Sequence, residues 1–176
     1  MKLHFAFVAA LLIAPQALST DFGPSGTWSC LTVQSCEEDV AHAIDTASKS
    51  IKVEAYQFTS LPIIRALQRA RERKVEVSVI VDRLDQQDAA TAKLLGDLGI
   101  PVWIDSPPAK AVNTLFIIDG HLTIGSNYDK DAPVKRNNLW SFTFAKGTDL
   151  AAKFGVYWES RLALSKKFDE GDRTGQ

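Results

Sequence analysis

Apolar positions along this chain switch repeatedly between two spacings. In EEDVAHAIDTASKS, residues 37–50, Val40, Ala43, Ile44 and Ala47 recur every three or four positions, the spacing of one helix face. Acidic residues open that stretch, where a helix dipole favours them. IKVEAYQF follows, with Ile51, Val53 and Ala55 alternating, and predicts a strand. LPIIRALQRARERK returns to helical spacing through Ile63, Ala66, Leu67 and Ala70, and Pro62 suits a first helical turn. VEVSVIV predicts a second strand ending at Asp82, and DAATAKLLGDLG a helix stopped by Gly99. IPVWI predicts a short strand, and TLFIID and HLTIG two strands joined by an Asp-Gly turn. NLWSFTFA predicts another, with Leu139, Ser141 and Thr143 opposite Trp140, Phe142 and Phe144. A long final helix over DLAAKFGVYWESRLALSKKF is expected to pack Phe154, Tyr157, Trp158 and Leu162, and the polar tail 169–176 to fray.

Strands alternating with helices imply an α/β sandwich whose sheet is mixed but mostly parallel and flanked by helices. Such sheets place ligands at strand ends and in the loops that follow. Asp82, Ser106, Asp119 and Ser126 stand at the predicted ends. Pattern alone therefore yields a fold class and no reaction.

The first 19 residues are set apart from the fold. A basic start at Lys2, an apolar run from Phe5 to Ala14 and the small residues around Ala17-Leu18-Ser19 predict a cleaved signal peptide, hence an exported protein, periplasmic or secreted. No later run is apolar for long enough to span a membrane. Without residues 1–19, whose one charged side chain is Lys2, 157 residues remain and the formal net charge moves from −1 to −2. That length suits one domain, here taken as 20–168. The near-neutral balance argues against a dedicated nucleic-acid binder, although local patches decide. Cys30 and Cys36, in CLTVQSC, are expected to form a disulfide after export, the alternative being two buried thiols. With no Cys/His spacing of the metal-binding kind, no structural zinc is expected.

Taken together, IDTASKSIKVEAYQFTSLPIIRALQRARERKVEVSVIVD, IDSPPAKAVNTLFIIDGHLTIGSNY and NNLWSFTFAKGTDLAAKFGVYWESR resemble, in order, the small exported single-motif members of the phospholipase D superfamily, the nuclease-like branch. The resemblance runs from about Cys36 to Phe168. It implies a phospholipase D-like sandwich and a covalent phosphodiesterase chemistry with no metal or cofactor. In that chemistry one histidine attacks phosphorus, a second protonates the leaving group, and lysines and asparagines neutralise the developing charge. Single-motif members pair two subunits to complete a site, so a homodimer is implied.

The family motif is His-x-Lys-x4-Asp, six residues, then Gly-Ser-x-Asn. Here Asp119 fits the aspartate, but Val112 stands at the histidine position and Thr114 at the lysine. Five residues rather than six separate Asp119 from Gly125, and Asn127 follows Ser126 directly. A later acidic residue of the family is replaced by Asn137 or Asn138. No shifted motif exists. His42 reads as a helix-surface or packing residue. His121 has Thr123 and Tyr128 where a lysine and an aspartate would be needed, and reads more plainly as a water-facing turn residue than as a substitute nucleophile. Asp82, Asp85 and Asp105 read as caps and turn formers, and Ser126 has no histidine at a recognisable spacing. Ser126, Asn127 and the basic Lys130, Lys135 and Arg136 are ligand-binding candidates, the basic run having a solvated loop as its alternative.

The expectation is an exported phospholipase D-like pseudoenzyme that binds a phosphodiester, such as nucleic acid or a phospholipid head group, or a protein partner. It would act as a homodimer or as a heterodimer with an active paralogue. The alternative is an active metal-independent endonuclease or phospholipase using His121 or a partner subunit's motif.

Overall fold

A computed structural model of the chain describes residues 26–30, 33–55, 59–81, 86–105, 114–126 and 142–169. The signal-peptide expectation therefore lies outside the described residues. The elements in chain order are β1 (Thr27–Cys30), α1 (Val33–Asp45), β2 (Ser50–Ala55), α2 (Leu61–Glu72), β3 (Glu76–Val81), α3 (Gln86–Asp97), β4 (Val102–Ile104), β5 (Leu115–Ile118), β6 (Leu122–Ser126), β7 (Phe142–Lys146), α4 (Thr148–Leu164) and β8 (Lys166–Lys167). The strands form a single sheet in the order β1-β7-β6-β5-β2-β3-β4-β8.

The sheet is mixed, as expected, but parallel pairing is the minority. Among the described strands only β2–β3 and β3–β4 pair in parallel; the other neighbours are antiparallel. The reason lies in the connections. A parallel pair needs a crossover, and α2 and α3 supply two. β5 and β6 are joined instead by the Asp119-Gly120 turn. Both residues hold φ in the left-handed region, at 52° and 68°, a conformation that Asp and Gly tolerate better than most residues.

The two faces of the sheet bury unequal cores. On one, α1, α2 and α3 cover Ile51, Val53, Val79, Phe116, Ile124 and Phe144, with Ile44, Leu67 and Leu95 from the helices. On the other, among the described helices, α4 lays Ala151 and Trp158 over Ile80, Leu115 and Ile117, with Phe154 and Leu162 packed alongside. Trp158 is buried and its Nε1–H donates to the Val53 carbonyl at 3.0 Å, so the indole's polar atom is matched as its ring leaves water. Tyr157, expected in the core, is 43% exposed.

Several boundaries differ from the sequence pattern. α1 begins at Val33, so Glu37 and Glu38 fall beyond its first turn and do not cap it. β1 and β8, both at sheet edges, escape the pattern altogether. α4 ends at Leu164, and Lys166–Lys167 turn back to pair with β4. A disulfide joins Cys30 on β1 to Cys36 on α1, tying the edge strand to the helix that follows it.

Candidate functional site

Strand direction divides the candidate residues between two ends of the sheet. β2, β3 and β4 run together and finish at Ala55, Val81 and Ile104, which define a carboxyl end. β5 runs the other way: Glu54 pairs with Leu115 and Ile51 with Ile118. Thr114 therefore enters β5 at the carboxyl end, whereas Asp119 leaves it at the opposite end. Five residues at about 3.3 Å each separate the two by roughly 16 Å. Asp119, a strand-end candidate, thus stands at the end opposite the carboxyl end of β2, β3 and β4. The strand-end rule applies to parallel strands, and β5 is antiparallel to its neighbours.

What Asp119 does is visible in its contacts. Its Oδ2 accepts from the Ser48 N–H and the Ser48 hydroxyl, both at 2.9 Å. Its Oδ1 accepts from the Lys49 N–H at 2.8 Å and the Ser50 N–H at 2.9 Å. The Asp119 N–H in turn donates to the Ser50 carbonyl at 2.8 Å. One carboxylate thereby holds three consecutive amides at the entrance to β2. Burial pushes its pKa upward, but the hydrogen bonds from Ser48, Ser50 and Lys49 outweigh that and leave it below the ordinary aspartate value. Asp119 is a clamp on the turn.

His121 lies in the same turn, exposed, with Nδ1 3.4 Å from the Asp119 carbonyl oxygen. His42 is exposed on the last turn of α1, which leads into the start of β2. Both imidazoles belong to the end remote from Thr114.

At the carboxyl end, Thr114 is buried at 7% exposure. Ser126 closes β6, and its backbone pairs with Phe142 one step beyond the Leu115–Gly125 pair. Register thus brings Thr114 and Ser126 to neighbouring strand ends. Val112, Asn127, Lys130, Lys135 and Arg136 lie outside the described residues, as do Asp82, Asp85, Ser106, Asn137 and Asn138.

The structure also brings to this end a group that the sequence reading did not assemble. Glu54 and Asp105 are buried at 3% and 1% exposure. Arg161, from α4, pairs its Nη2 with Asp105 Oδ2 and sets its Nε 3.6 Å from Glu54 Oε1. The Tyr157 hydroxyl donates to Glu54 Oε1 at 3.0 Å. Burial, and then the Glu54 charge, push the Tyr157 pKa up to about 12, so this phenol stays protonated and remains a donor. Asp105, expected as a turn former, is instead half of a buried ion pair. Among the described residues no three His, Cys, Asp or Glu side chains converge to hold a metal ion, and no helix is long and apolar enough to cross a membrane.

Known proteins resemble this chain in sequence and fold. Residues 40–160 match the family model described as cardiolipin synthase, PLD-like domain. A phospholipase D of Rickettsia bellii (strain RML369-C) is 31% identical over 137 residues, covering 77% of this chain and 68% of the relative. A phospholipase D of Rickettsia felis (strain ATCC VR-1525 / URRWXCal2) is 30% identical over 129 residues, covering 73% of this chain and 64% of the relative. This chain thus spans about two thirds of the length of these relatives. The crystal structure of Nuc from Salmonella typhimurium, a phospholipase D family member, superposes with a TM-score of 0.72 at 24% identity, over 83% of this chain and 99% of that one.

Proposed function

We propose that this chain, which belongs to the phospholipase D-like family, has kept the fold of a phosphodiesterase without its reaction, and works by binding. The observation that carries this reading is the separation of the imidazoles from the motif end. The sequence holds three histidines. His4 lies in the expected signal peptide, and His42 and His121 sit at the end of the sheet remote from Thr114. The lysine position of the motif carries a buried threonine, and the histidine position carries Val112. A valine neither attacks nor transfers a proton. Loss of the nucleophile from a covalent mechanism costs on the order of a millionfold in rate, or about 8 kcal/mol of barrier. Asp119 offers no substitute, because its carboxylate is engaged in the turn.

The remaining role is recognition of a phosphodiester, as in nucleic acid or a phospholipid head group, or of a protein partner, with Ser126, Asn127, Lys130, Lys135 and Arg136 as the contact candidates. Export to the periplasm or beyond belongs to the same proposal, as does pairing with a second copy or with an active paralogue. The second reading, an active phosphodiesterase, requires a partner subunit's motif or His121 to reach the carboxyl end.

The binding reading is tested by melting residues 20–176 with inorganic phosphate, a short single-stranded oligonucleotide, or glycerophosphocholine. A ligand at a hundred times its Kd should add about 2.7 kcal/mol and raise the melting temperature by roughly 5–10 °C. No rise with any of the three, together with no complex on coexpression with a family member carrying an intact motif, would overturn it.

A further inference from the structure

Arg161 leaves α4 one turn after Tyr157 and reaches two strands that are not neighbours. Asp105 stands just beyond β4 and Glu54 one residue before the end of β2. Between them runs β3, whose Ile80 lies in the core beneath α4. The Asp105 N–H donates to the Val81 carbonyl at 2.8 Å, so the end of β3 is joined to the same cluster. All three charged side chains are largely withdrawn from water, at 17% exposure for Arg161, 4% for Glu54 and 2% for Asp105. Carboxylates this far from solvent are costly unless paired. A planar guanidinium can meet two of them in fixed directions, which an ammonium cannot.

We infer that Arg161 is the positioning residue of the carboxyl end. From α4 it fixes the ends of β2, β3 and β4 relative to one another, and so sets the frame in which Ala55, Asp105 and Thr114 stand at the carboxyl end. The opposite end has its own device, the Asp119 clamp, made of different residues on different elements. The two ends are therefore held separately. This rests on the proposed function only in taking the carboxyl end as the ligand end. Its test uses no ligand, so either idea can fail without the other.

The test is amide hydrogen exchange, resolved residue by residue by NMR, on the full chain and on Arg161→Met. The amides of Ala55, Asp105 and Leu115 should exchange about tenfold faster or more, while those of Ser50 and Asp119 hold their wild-type rates. A residue that merely stabilises the fold would accelerate both ends together, and that result would overturn the inference. So would unchanged exchange at the carboxyl end. If Arg161→Met does not fold, Arg161→Lys serves. It keeps the charge and loses the two-carboxylate reach, so the same one-sided acceleration is expected, and a wild-type pattern would overturn the inference.

Discussion

Replacing Asp119 with asparagine should cost stability and remove part of the protein's sensitivity to acid. The carboxylate accepts four hydrogen bonds at 2.8–2.9 Å, two on each oxygen. An asparagine keeps one acceptor oxygen and turns an amide NH2 toward the other pair of donors. Two bonds to a charged acceptor are lost, at about 1.5–3 kcal/mol each. Solvent reaches most of these groups, so the low end applies and the expected loss is about 2–3 kcal/mol. For a domain of this size that corresponds to a fall of about 4–12 °C in melting temperature. The pH dependence has a definite sign. Asp119 titrates below its ordinary value of 3.8 in the folded state. Its contribution is therefore complete above the unfolded-state value and disappears as pH falls through the folded one. The gap between wild type and Asp119→Asn should be full at pH 7 and close progressively below about pH 4. Circular-dichroism melts across that range read both effects. An unchanged melting temperature at pH 7, or a gap that stays constant into acid, would refute the clamp.

Further outcomes concern the disulfide and the indole. Reducing Cys30–Cys36 releases a short loop, for which chain entropy gives about 2 kcal/mol. A melt with and without reductant should then differ by about 4–8 °C, and coincident curves would show that the bridge contributes nothing. Trp158→Phe keeps most of the buried ring but leaves the Val53 carbonyl without its indole donor. A loss of about 1–3 kcal/mol in denaturant unfolding is expected, and a neutral result would mean that water replaces the bond.

Elements built on a sustained apolar period were legible in the sequence. α2 buries Ile63, Ala66, Leu67 and Ala70 as its spacing predicts, and Phe142 and Phe144 face inward from β7 with Thr143 outward. The β5–β6 hairpin was legible because Asp119 and Gly120 take the left-handed conformations that this residue pair favours. The edge strands were not. TWSC offers four residues, and Lys166–Lys167 two exposed lysines, so neither carries a period to detect. Such short or charged edges resist further strand pairing, which is also why they leave no apolar pattern. Parallel pairing is less frequent than the pattern suggests because strand direction depends on connection geometry: β5 returns antiparallel to β2, the Asp119-Gly120 turn reverses the chain again into β6, and α4 crosses to β8 at the far edge, where it pairs antiparallel with β4.

The site was legible where it rests on local spacing and obscure where it rests on long-range contact. The proposed replacements at Val112 and Thr114 rest on spacing along the chain alone. That Asp119 belongs to the far end could not be read, because a motif records order along the chain and not which way β5 runs. The Glu54–Arg161 contact spans more than a hundred residues. Its one sequence signal was a glutamate inside the otherwise apolar VEA stretch of β2, where a buried charge requires a partner.

The central claim is the absence of family chemistry, and turnover tests it most directly. Purified residues 20–176 would be incubated with bis(p-nitrophenyl) phosphate and with plasmid DNA, without metal, alongside His121→Ala. The account predicts no hydrolysis above blank from the folded protein, with wild type and variant indistinguishable. Hydrolysis that is present in wild type and lost in His121→Ala would contradict it, and would mean that an imidazole from the far end of the sheet reaches phosphorus.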